Sequence, residues 1–238
     1  MSVYVIADLH LCTDNEAKSM EIFGNRWKDY QNRIQTNWNR LIEADDTVII
    51  PGDISWALNL NEAVSDLKFL DSLNGKKVIM KGNHDFWWSS VTKMNALFNE
   101  IGVSTISILN NNALEIEDYI ITGSRGWFVD SSVQTKNVNA DFDKINNREL
   151  IRIRIGLEAA RKLKEETDKE ILAFFHFPPV WGEFKNEGII NILNEYDIKQ
   201  CFFGHIHGTY SVPACIEVSG IQMRLISADY LNFIPYHI

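Results

Sequence analysis

The chain has 238 residues, of which 45% are hydrophobic and 23% are charged, a composition typical of a globular protein with a sizeable core. A net charge of −9 argues against a broad nucleic-acid-binding surface and against binding to anionic membranes. It leaves a small phosphoester substrate open, because bound metal ions can reverse the local field.

Short apolar runs rich in β-branched residues alternate with segments of helical spacing. In chain order, the runs that predict strands are 2–7, 47–51, 77–80, 105–109, 119–123, 171–175, 200–203, 212–218 and 222–228. Apolar residues recur at helical spacing between them, in 27–41, 60–70 and 148–164. Ser219-Gly220 separates the last two runs and predicts a hairpin, so we expect an α/β fold with a mixed sheet.

No repeat, low-complexity tract or linker-like stretch interrupts this pattern, so we predict a single domain over residues 1–238. Two segments are longer than a connection requires, namely 11–24 and 124–146. Both are polar and rich in turn residues, and long loops in compact domains often act as lids over a site.

The three cysteines, Cys12, Cys201 and Cys215, are odd in number and lack Cys-x-x-Cys spacing, which favours reduced thiols over a disulfide framework. The apolar run at the N-terminus is too short to span a membrane and has no basic segment before it. We therefore expect a cytoplasmic protein without a membrane partner.

Five of the six histidines lie just past the end of an apolar run, beside Gly, Asp, Asn or Pro. One histidine in such a place is more often structural than a ligand, but random placement would scatter some of the five into helices. The carboxyl ends of strands in α/β sheets form the ligand crevice. The polar residues that follow the predicted strands are Asp8, His10, Asp53, Asn83, His84, His176, His205 and His207.

The chemistry of this set indicates metal binding. Nitrogen and oxygen donors without a thiolate suit borderline transition metals such as Mn, Fe, Zn, Co or Ni. The donors are too many for one catalytic ion, which usually keeps three protein ligands and an open position. Seven ligands with one shared carboxylate suit two ions roughly 3.5–4 Å apart, the spacing of two-metal hydrolases.

Five short motifs carry these residues, in the order "ADLH", "PGD", "GNHD", "HFPP" and "GHIH". Together they resemble the signature of the calcineurin-like metallophosphoesterase superfamily. The resemblance implies a four-layer α/β/β/α sandwich, in which two mixed sheets pack face to face between helices. It also implies two divalent transition-metal ions, with Mn expected for activity.

The resemblance gives each motif residue a role. The ligands of one metal would be Asp8, His10, Asp53 and His207. The ligands of the other would be the bridging Asp53, Asn83, His176 and His205. His84 would be the general acid toward the leaving group, with Asp85 orienting its ring. A hydroxide held between the ions would attack phosphorus in line.

The spelling of the motifs separates branches of the superfamily. Ser/Thr protein phosphatases carry GDxVDRG and GNHE, where this chain has "GDISWA" and "GNHD". "DLHL" and "GNHDFWW" are instead similar to uncharacterised bacterial predicted phosphohydrolases. We therefore predict hydrolysis of a small phosphodiester or nucleotide-type substrate, with a phosphomonoesterase as the alternative. A nuclease is a less favoured hypothesis because the chain is acidic. A non-catalytic scaffold module is also less favoured, because every implied ligand is present.

Three residues near the motifs are candidates for substrate contact. Trp87 follows "GNHD" and Trp181 follows "HFPP", and such aromatic rings can stack on a base or line a pocket. The alternative interpretation of both rings is core packing. For Trp87 this means that residues 86–88 begin the next helix and pack against the sheet. Arg125, in "GSRGW", could clamp a phosphate, and a solvated surface charge is its alternative.

Overall fold

The computed structural model describes residues 1–15, 18–128 and 138–238, and the side chains of all of these except 138–142. The strands are β1 Val3–Val5, β2 Thr47–Pro51, β3 Lys76–Met80, β4 Ile106–Ile108, β5 Ala113–Ile116, β6 Tyr119–Ser124, β7 Glu170–Phe175, β8 Val180–Trp181, β9 Phe184–Lys185, β10 Gln200–Phe203, β11 Cys215–Val218, β12 Ile221–Leu225 and β13 Tyr236–His237. The α-helices are α1 Tyr30–Leu41, α2 Val64–Ser72, α3 Val91–Ile101, α4 Val138–Thr167 and α5 Glu187–Glu195.

The first sheet has the strand order β13-β1-β2-β3-β4. β1 to β4 run parallel, and β13 pairs antiparallel with β1 at the edge. Every residue of the central strand β2 is buried, as expected for a parallel strand that is covered on both faces.

The second sheet has the order β11-β12-β10-β7-β6-β5. Its four inner strands are parallel, while β11 and β5 pair antiparallel at the two edges. β11 and β12 form the predicted hairpin. Ser219 and Gly220 at its turn have φ of 54° and 78°, as a two-residue hairpin connection requires. Both sheets are therefore mixed.

Three apolar clusters define the layers. The inner cluster joins the two sheets and includes Val5, Ile49, Val78, Leu172 and Phe174. The outer face of the first sheet packs against α1, α2 and α3, and that of the second against α4 and α5. The order of layers is therefore helix, sheet, sheet, helix, which confirms the predicted four-layer sandwich.

The two sheets are also hydrogen-bonded to each other just past the carboxyl ends of β1 and β12. The N–H of Ala7 donates to the carbonyl of Ile226 at 2.8 Å, and the N–H of Ala228 donates to the carbonyl of Ala7 at 2.9 Å. The chain that leaves β1 therefore runs alongside the chain that leaves β12. This pairing places the residues that follow both strands, Asp8 and Asp229, side by side.

The starts of α3 and α4 differ from the predictions in ways that bear on the site. Residues 86–88 do not begin a helix, because α3 starts at Val91, where the hydroxyl of Ser90 accepts the N–H of Lys93 at 3.4 Å. α4 starts at Val138, so the later part of the predicted 124–146 loop is helical, and residues 129–137 lie outside the described residues. None of the described helices has the length and apolar character needed to cross a membrane.

Candidate metal centre

The predicted metal ligands follow strands of both sheets at their carboxyl ends. From the first sheet, β1 leads into Asp8 and His10, β2 into Asp53 and β3 into Asn83. From the second sheet, β7 leads into His176, and β10 leads into His205 and His207. Since the sheets pack face to face, their carboxyl ends meet at one edge of the sandwich.

The side chains gather in two neighbouring groups. Asp8, His10 and His207 form one group, and within it the potential ligand atoms lie within 4.8 Å of one another. A second group of the same dimensions contains the residues Asp53, His176 and His205. The side-chain oxygen of Asn83 adjoins this second group, 2.5 Å from Nε2 of His176. All seven predicted ligands are thus brought together.

Asp53 lies between the two groups. Its Oδ2 is 3.7 Å from Nε2 of His10 and 3.6 Å from Nε2 of His176, one histidine from each group. Its Oδ1 accepts the backbone N–H of His84 at 2.8 Å, which fixes the carboxylate in this orientation. Asp53 is therefore close enough to both groups to be shared between them.

Glycines in the motifs allow the ligands to pack this closely. A Cβ on Gly82 would lie 2.1 Å from Oδ1 of Asp53, and a Cβ on Gly204 would lie 2.6 Å from Oδ2 of Asp8. Gly52 has φ of +101°, and a Cβ there would lie 2.8 Å from Nδ1 of His176. A side chain at any of these three positions would displace a ligand.

The backbone of the centre is strained. Asp8, His10, Asp53 and His205 have φ of 62°, 47°, 51° and 70°, in the left-handed region that residues other than glycine rarely adopt. Such conformations cost roughly 1–3 kcal/mol each and persist only where the surrounding structure enforces them. The strain therefore falls on four of the seven gathered residues.

The metal-free electrostatics of the centre are unfavourable. Burial raises the pKa of Asp8 to about 6, and the charge of His207 partly opposes this. Burial, together with the charges of Asp85 and Asp8, raises the pKa of Asp53 well above its usual value. Burial and the neighbouring histidines hold the pKa values of His10 and His176 well below normal. A bound cation would offset the penalty on the two carboxylates, and it would bind the neutral imidazoles that the low pKa values of the histidines already favour.

Buried atoms of the two groups lack hydrogen-bond partners within the described residues, namely Asp8 Oδ1, His10 Nδ1, Asp53 Oδ2 and His176 Nδ1. Buried polar atoms are normally satisfied, so such a cluster calls for a ligand. Nitrogen and oxygen donors in two adjoining sets fit divalent transition-metal ions. The residues present therefore fit the metals that the sequence implies.

His84 lies at the rim of the centre. Its ring is half-buried, 4.3 Å from the ring of Trp56 and 5.6 Å from that of His10, measured between centroids. Burial and then the charge of His207 lower the pKa of His84, which favours the neutral imidazole. A phosphoryl group bound beside the ring would raise that pKa.

Asp85 does not orient His84, which corrects the role implied by the resemblance. The buried carboxylate of Asp85 accepts five hydrogen bonds, from the backbone N–H groups of Asp53, Ile54, Ser55 and Gly82 and from the ring N–H of Trp87. Both of its oxygens are therefore engaged away from the His84 ring. Asp85 organises the turns that carry the ligands.

The sequence model of the family described as calcineurin-like phosphoesterase matches residues 1–209. The chain belongs to this family. The family is one of metal-dependent phosphoric ester hydrolases, and the motif residues that the match spans include both groups of ligands.

A partial sequence match to another protein gives no information on function. Over 83 residues the chain is 30% identical to an uncharacterized protein of Methanocaldococcus jannaschii, a match that covers 35% of this chain and 46% of that protein. The chain thus spans about half the length of this relative.

Solved structures of other proteins have the same fold. A phosphopantetheinyl hydrolase from Mycobacterium tuberculosis aligns over 100% of this chain and 95% of its own, with a TM-score of 0.54 and 14% identity. TT1561 of Thermus thermophilus aligns over 96% and 89%, with a TM-score of 0.59 and 7% identity. A protein of unknown function from Aquifex aeolicus aligns over 99% and 95%, with a TM-score of 0.52 and 14% identity.

One residue of this calcineurin-like site was missed by the sequence analysis. Asp229 is fully buried, and its Oδ1 lies 2.8 Å from Nδ1 of His207. Burial lowers the pKa of His207, but the Asp229 hydrogen bond and the charge of Asp8 outweigh it, so the pKa is raised. Carboxylates in this position fix the ring of a ligating histidine. Asp229 directly follows the last predicted strand, 222–228, so the position that singled out the predicted ligands would have singled it out too.

The aromatic candidates are divided between site and core. Trp87 is 1% exposed and packs in the core behind the first sheet, so the predicted substrate contact is wrong for this residue. Trp56 instead stacks on His10 with ring centroids 4.9 Å apart. Trp181 is half-buried against the core behind the second sheet, and a substrate contact there stays a prediction. Phe86, by contrast, is 60% exposed beside His84.

Arg125 directly follows β6, and β6 pairs with β7, the strand that leads into His176. Its backbone carbonyl accepts the N–H of Phe177 at 2.8 Å, so it lies beside the second ligand group. Its guanidinium is partly exposed, 3.8 Å from Glu149 and 5.3 Å from the ring centre of Trp127. Contact of Arg125 with a substrate stays a prediction.

Proposed function

We propose that the protein is a dinuclear metal-dependent phosphoesterase that hydrolyses a small phosphodiester or nucleotide-type substrate. The position of Asp53 carries the proposal: its buried Oδ2 lies between the two ligand groups, with no hydrogen-bond partner in the described part of the chain. Membership of the calcineurin-like family supports the reaction class, and the geometry of the two groups supports two ions.

Asp8, His10, Asp53 and His207 would hold one ion, and Asp53, Asn83, His176 and His205 the other. Two bound cations would neutralise charge on the phosphoryl oxygens and lower the pKa of the attacking water. The nitrogen and oxygen donor set supports Mn, Fe, Zn, Co or Ni, and Mn is the ion we propose for activity.

The chain's own residues prepare this chemistry. Asp229 holds His207 in the orientation for binding through Nε2, and Asp85 holds the turn that presents Asp53. His84, at the rim, would donate its proton to the leaving oxygen. The stacked ring of Trp56 keeps water from one side of His10.

The test is hydrolysis by protein reconstituted with each of the five metals, using paired aryl phosphate monoesters and diesters. We expect two ions per chain by metal analysis, and a higher kcat/KM for the diester. Hydrolysis with no stoichiometric metal, or no hydrolysis with any of the metals, would contradict the proposal. A higher kcat/KM for the monoester would replace the diesterase with the phosphomonoesterase.

His84→Ala tests the acid role separately. The substitution should lower kcat about 10²–10⁴-fold for an alkyl leaving group. It should cost much less for a nitrophenyl leaving group, which departs without a proton. Equal losses for both leaving groups would show that His84 acts in some other way.

A further inference from the structure

A cleft of about 640 Å³ is lined by residues that neighbour the second ligand group along the chain, although no predicted ligand lines it. Its walls come from the ends of β3, β4 and β6 and from residues 145–152 of α4. This volume falls within the range of small-molecule pockets, roughly 300–1,000 Å³. It is large enough for a group that extends beyond the reacting phosphoryl.

Two residues of the cleft wall are close neighbours of predicted metal ligands, one along the chain and one through a backbone hydrogen bond. Lys81, in its wall, is two residues before the ligand Asn83. Arg125, also in its wall, binds the backbone of Phe177, the residue after the ligand His176. A molecule in the cleft would therefore be next to a phosphoryl group at the second ligand group.

Positive charge dominates the lining. Four cationic side chains, those of Lys81, Arg125, Arg148 and Arg152, face a single carboxylate, that of Glu149. Arg125 and Arg152 share this carboxylate, at 3.8 and 2.5 Å from the same oxygen. In a chain with a net charge of −9, such a concentration of unbalanced positive charge needs an explanation.

Two hydrogen-bond donors of the lining are unused. Nε of Arg125 and Nε1 of Trp127 are buried, and neither has an acceptor among the described residues. Both groups can only donate, so a suitable occupant must accept hydrogen bonds.

We propose that the cleft binds a second phosphate or a diphosphate of the substrate, so that the substrate is a phosphoester that carries a further phosphate. Phosphate oxygens accept several hydrogen bonds and pair with guanidinium groups, which matches the donors and charges of the lining. This proposal rests on the proposed phosphoesterase function and narrows its substrate class.

The first test measures inorganic pyrophosphate binding to the protein after its metals are removed with a chelator, by calorimetry. The variant Arg148→Gln/Arg152→Gln removes two charges from exposed positions of α4, where glutamine keeps the helix propensity. The matched control Arg154→Gln/Arg161→Gln removes two arginines from the same helix, whose surface ion pairs are with Glu195 and Glu158.

We expect pyrophosphate to bind the wild type and the control equally, and the cleft variant at least tenfold more weakly. Thermal unfolding of both variants checks that they are folded. Absence of pyrophosphate binding to the wild type, or equal weakening in both variants, would overturn the proposal. Because no metal is present, this result does not depend on catalysis.

The second test compares a dinucleoside phosphodiester with the same compound carrying a terminal 5′-phosphate as substrates of the metal-loaded enzyme. The phosphorylated diester should have the higher kcat/KM, and the cleft variant should reduce that preference at least tenfold. Equal kcat/KM values for the two compounds would overturn the proposal. Hydrolysis of neither would count against the proposed function instead, and the pyrophosphate measurement would still decide the cleft.

Discussion

The carboxylate of Asp85 accepts the backbone N–H of Asp53 at 2.9 Å, although the two residues are 32 positions apart. In return, Oδ1 of Asp53 accepts the N–H of His84, the residue before Asp85. The turns after β2 and β3 thus hold each other through two motif residues. The aspartate of "GNHD" therefore fixes the proposed bridging ligand, and its effect on His84 is through the backbone.

Asp85→Asn should destabilise the protein by about 3 kcal/mol or more, because an amide nitrogen would face buried N–H donors and the charge would be lost. Urea unfolding measures this change. His84→Ala is the control, and it should leave the free energy of unfolding nearly unchanged, since the ring is half-buried at the rim. A stable Asp85→Asn protein with the activity loss of His84→Ala would instead restore the orienting role.

Asp229→Asn should weaken metal binding about 10–100-fold, because His207 would lose the charged partner that fixes its ring. Calorimetric titration with Mn measures this directly. Tyr210→Phe is a matched control, since its hydroxyl donates to the other oxygen of the same carboxylate at 3.0 Å. If both variants bound metal like the wild type, Asp229 would have only a structural role.

Gly82→Ala should abolish binding of both metals, because the new Cβ would collide with Oδ1 and the backbone nitrogen of Asp53, at 2.1 and 2.2 Å. Metal analysis after reconstitution measures the loss. Gly102→Ala provides the comparison: this glycine ends α3 with φ of +77° and has open space around it. There we expect a stability cost of about 1 kcal/mol and two bound ions.

The stabilising contribution of Asp71 should depend on pH. Its carboxylate accepts the N–H and hydroxyl of Thr105 at 2.8 and 2.6 Å, which joins α2 to β4. Burial opposes the charged form, but the Thr105 and Ser104 hydrogen bonds outweigh it and lower the pKa of Asp71. Its contribution is therefore complete above the unfolded pKa of about 3.9 and is lost as the pH falls through the lower folded value.

Asp71→Asn tests this dependence by urea unfolding at pH 7 and pH 3. At pH 7 the variant should be less stable by roughly 1 kcal/mol, a small value because the carboxylate is partly exposed. At pH 3 the difference should shrink. A difference that stayed constant with pH would show that the hydrogen bonds do not require the charge.

Strands were the most predictable elements, because buried parallel strands are continuous apolar runs. β2 and β10 have their predicted bounds, because the apolar run of each strand stops where the strand stops. β5 was missed because Ala113–Ile116 is short, half-buried and at an edge. α5 is not predicted either, although Asn186 caps it, because its buried residues Ile189, Ile190, Ile192 and Leu193 form a short apolar run that does not distinguish a helix from a strand.

The gathered ligands were predictable because each motif places a polar residue at a strand end, and strand ends converge. The role of Asp85 was not predictable in this way. Its neighbour along the chain is His84, but its partners are backbone groups of the turn after β2, which only the packing of β2 beside β3 brings near. Asp229 differs from Asp85, because its position directly after a predicted strand is enough to indicate that it lies at the site.

The first ligand group joins residues from opposite ends of the chain: His10 and His207 are 197 positions apart, with their Nε2 atoms separated by 3.3 Å. An ion held by both would close a loop through most of the chain, as a disulfide does, but reversibly. By chain entropy alone, closing a loop of that length disfavours the unfolded state by roughly 5 kcal/mol. Neither half of the chain could retain the ion by itself, so unfolding would release the ion, and the metal-free chain would stay folded but unfold more easily.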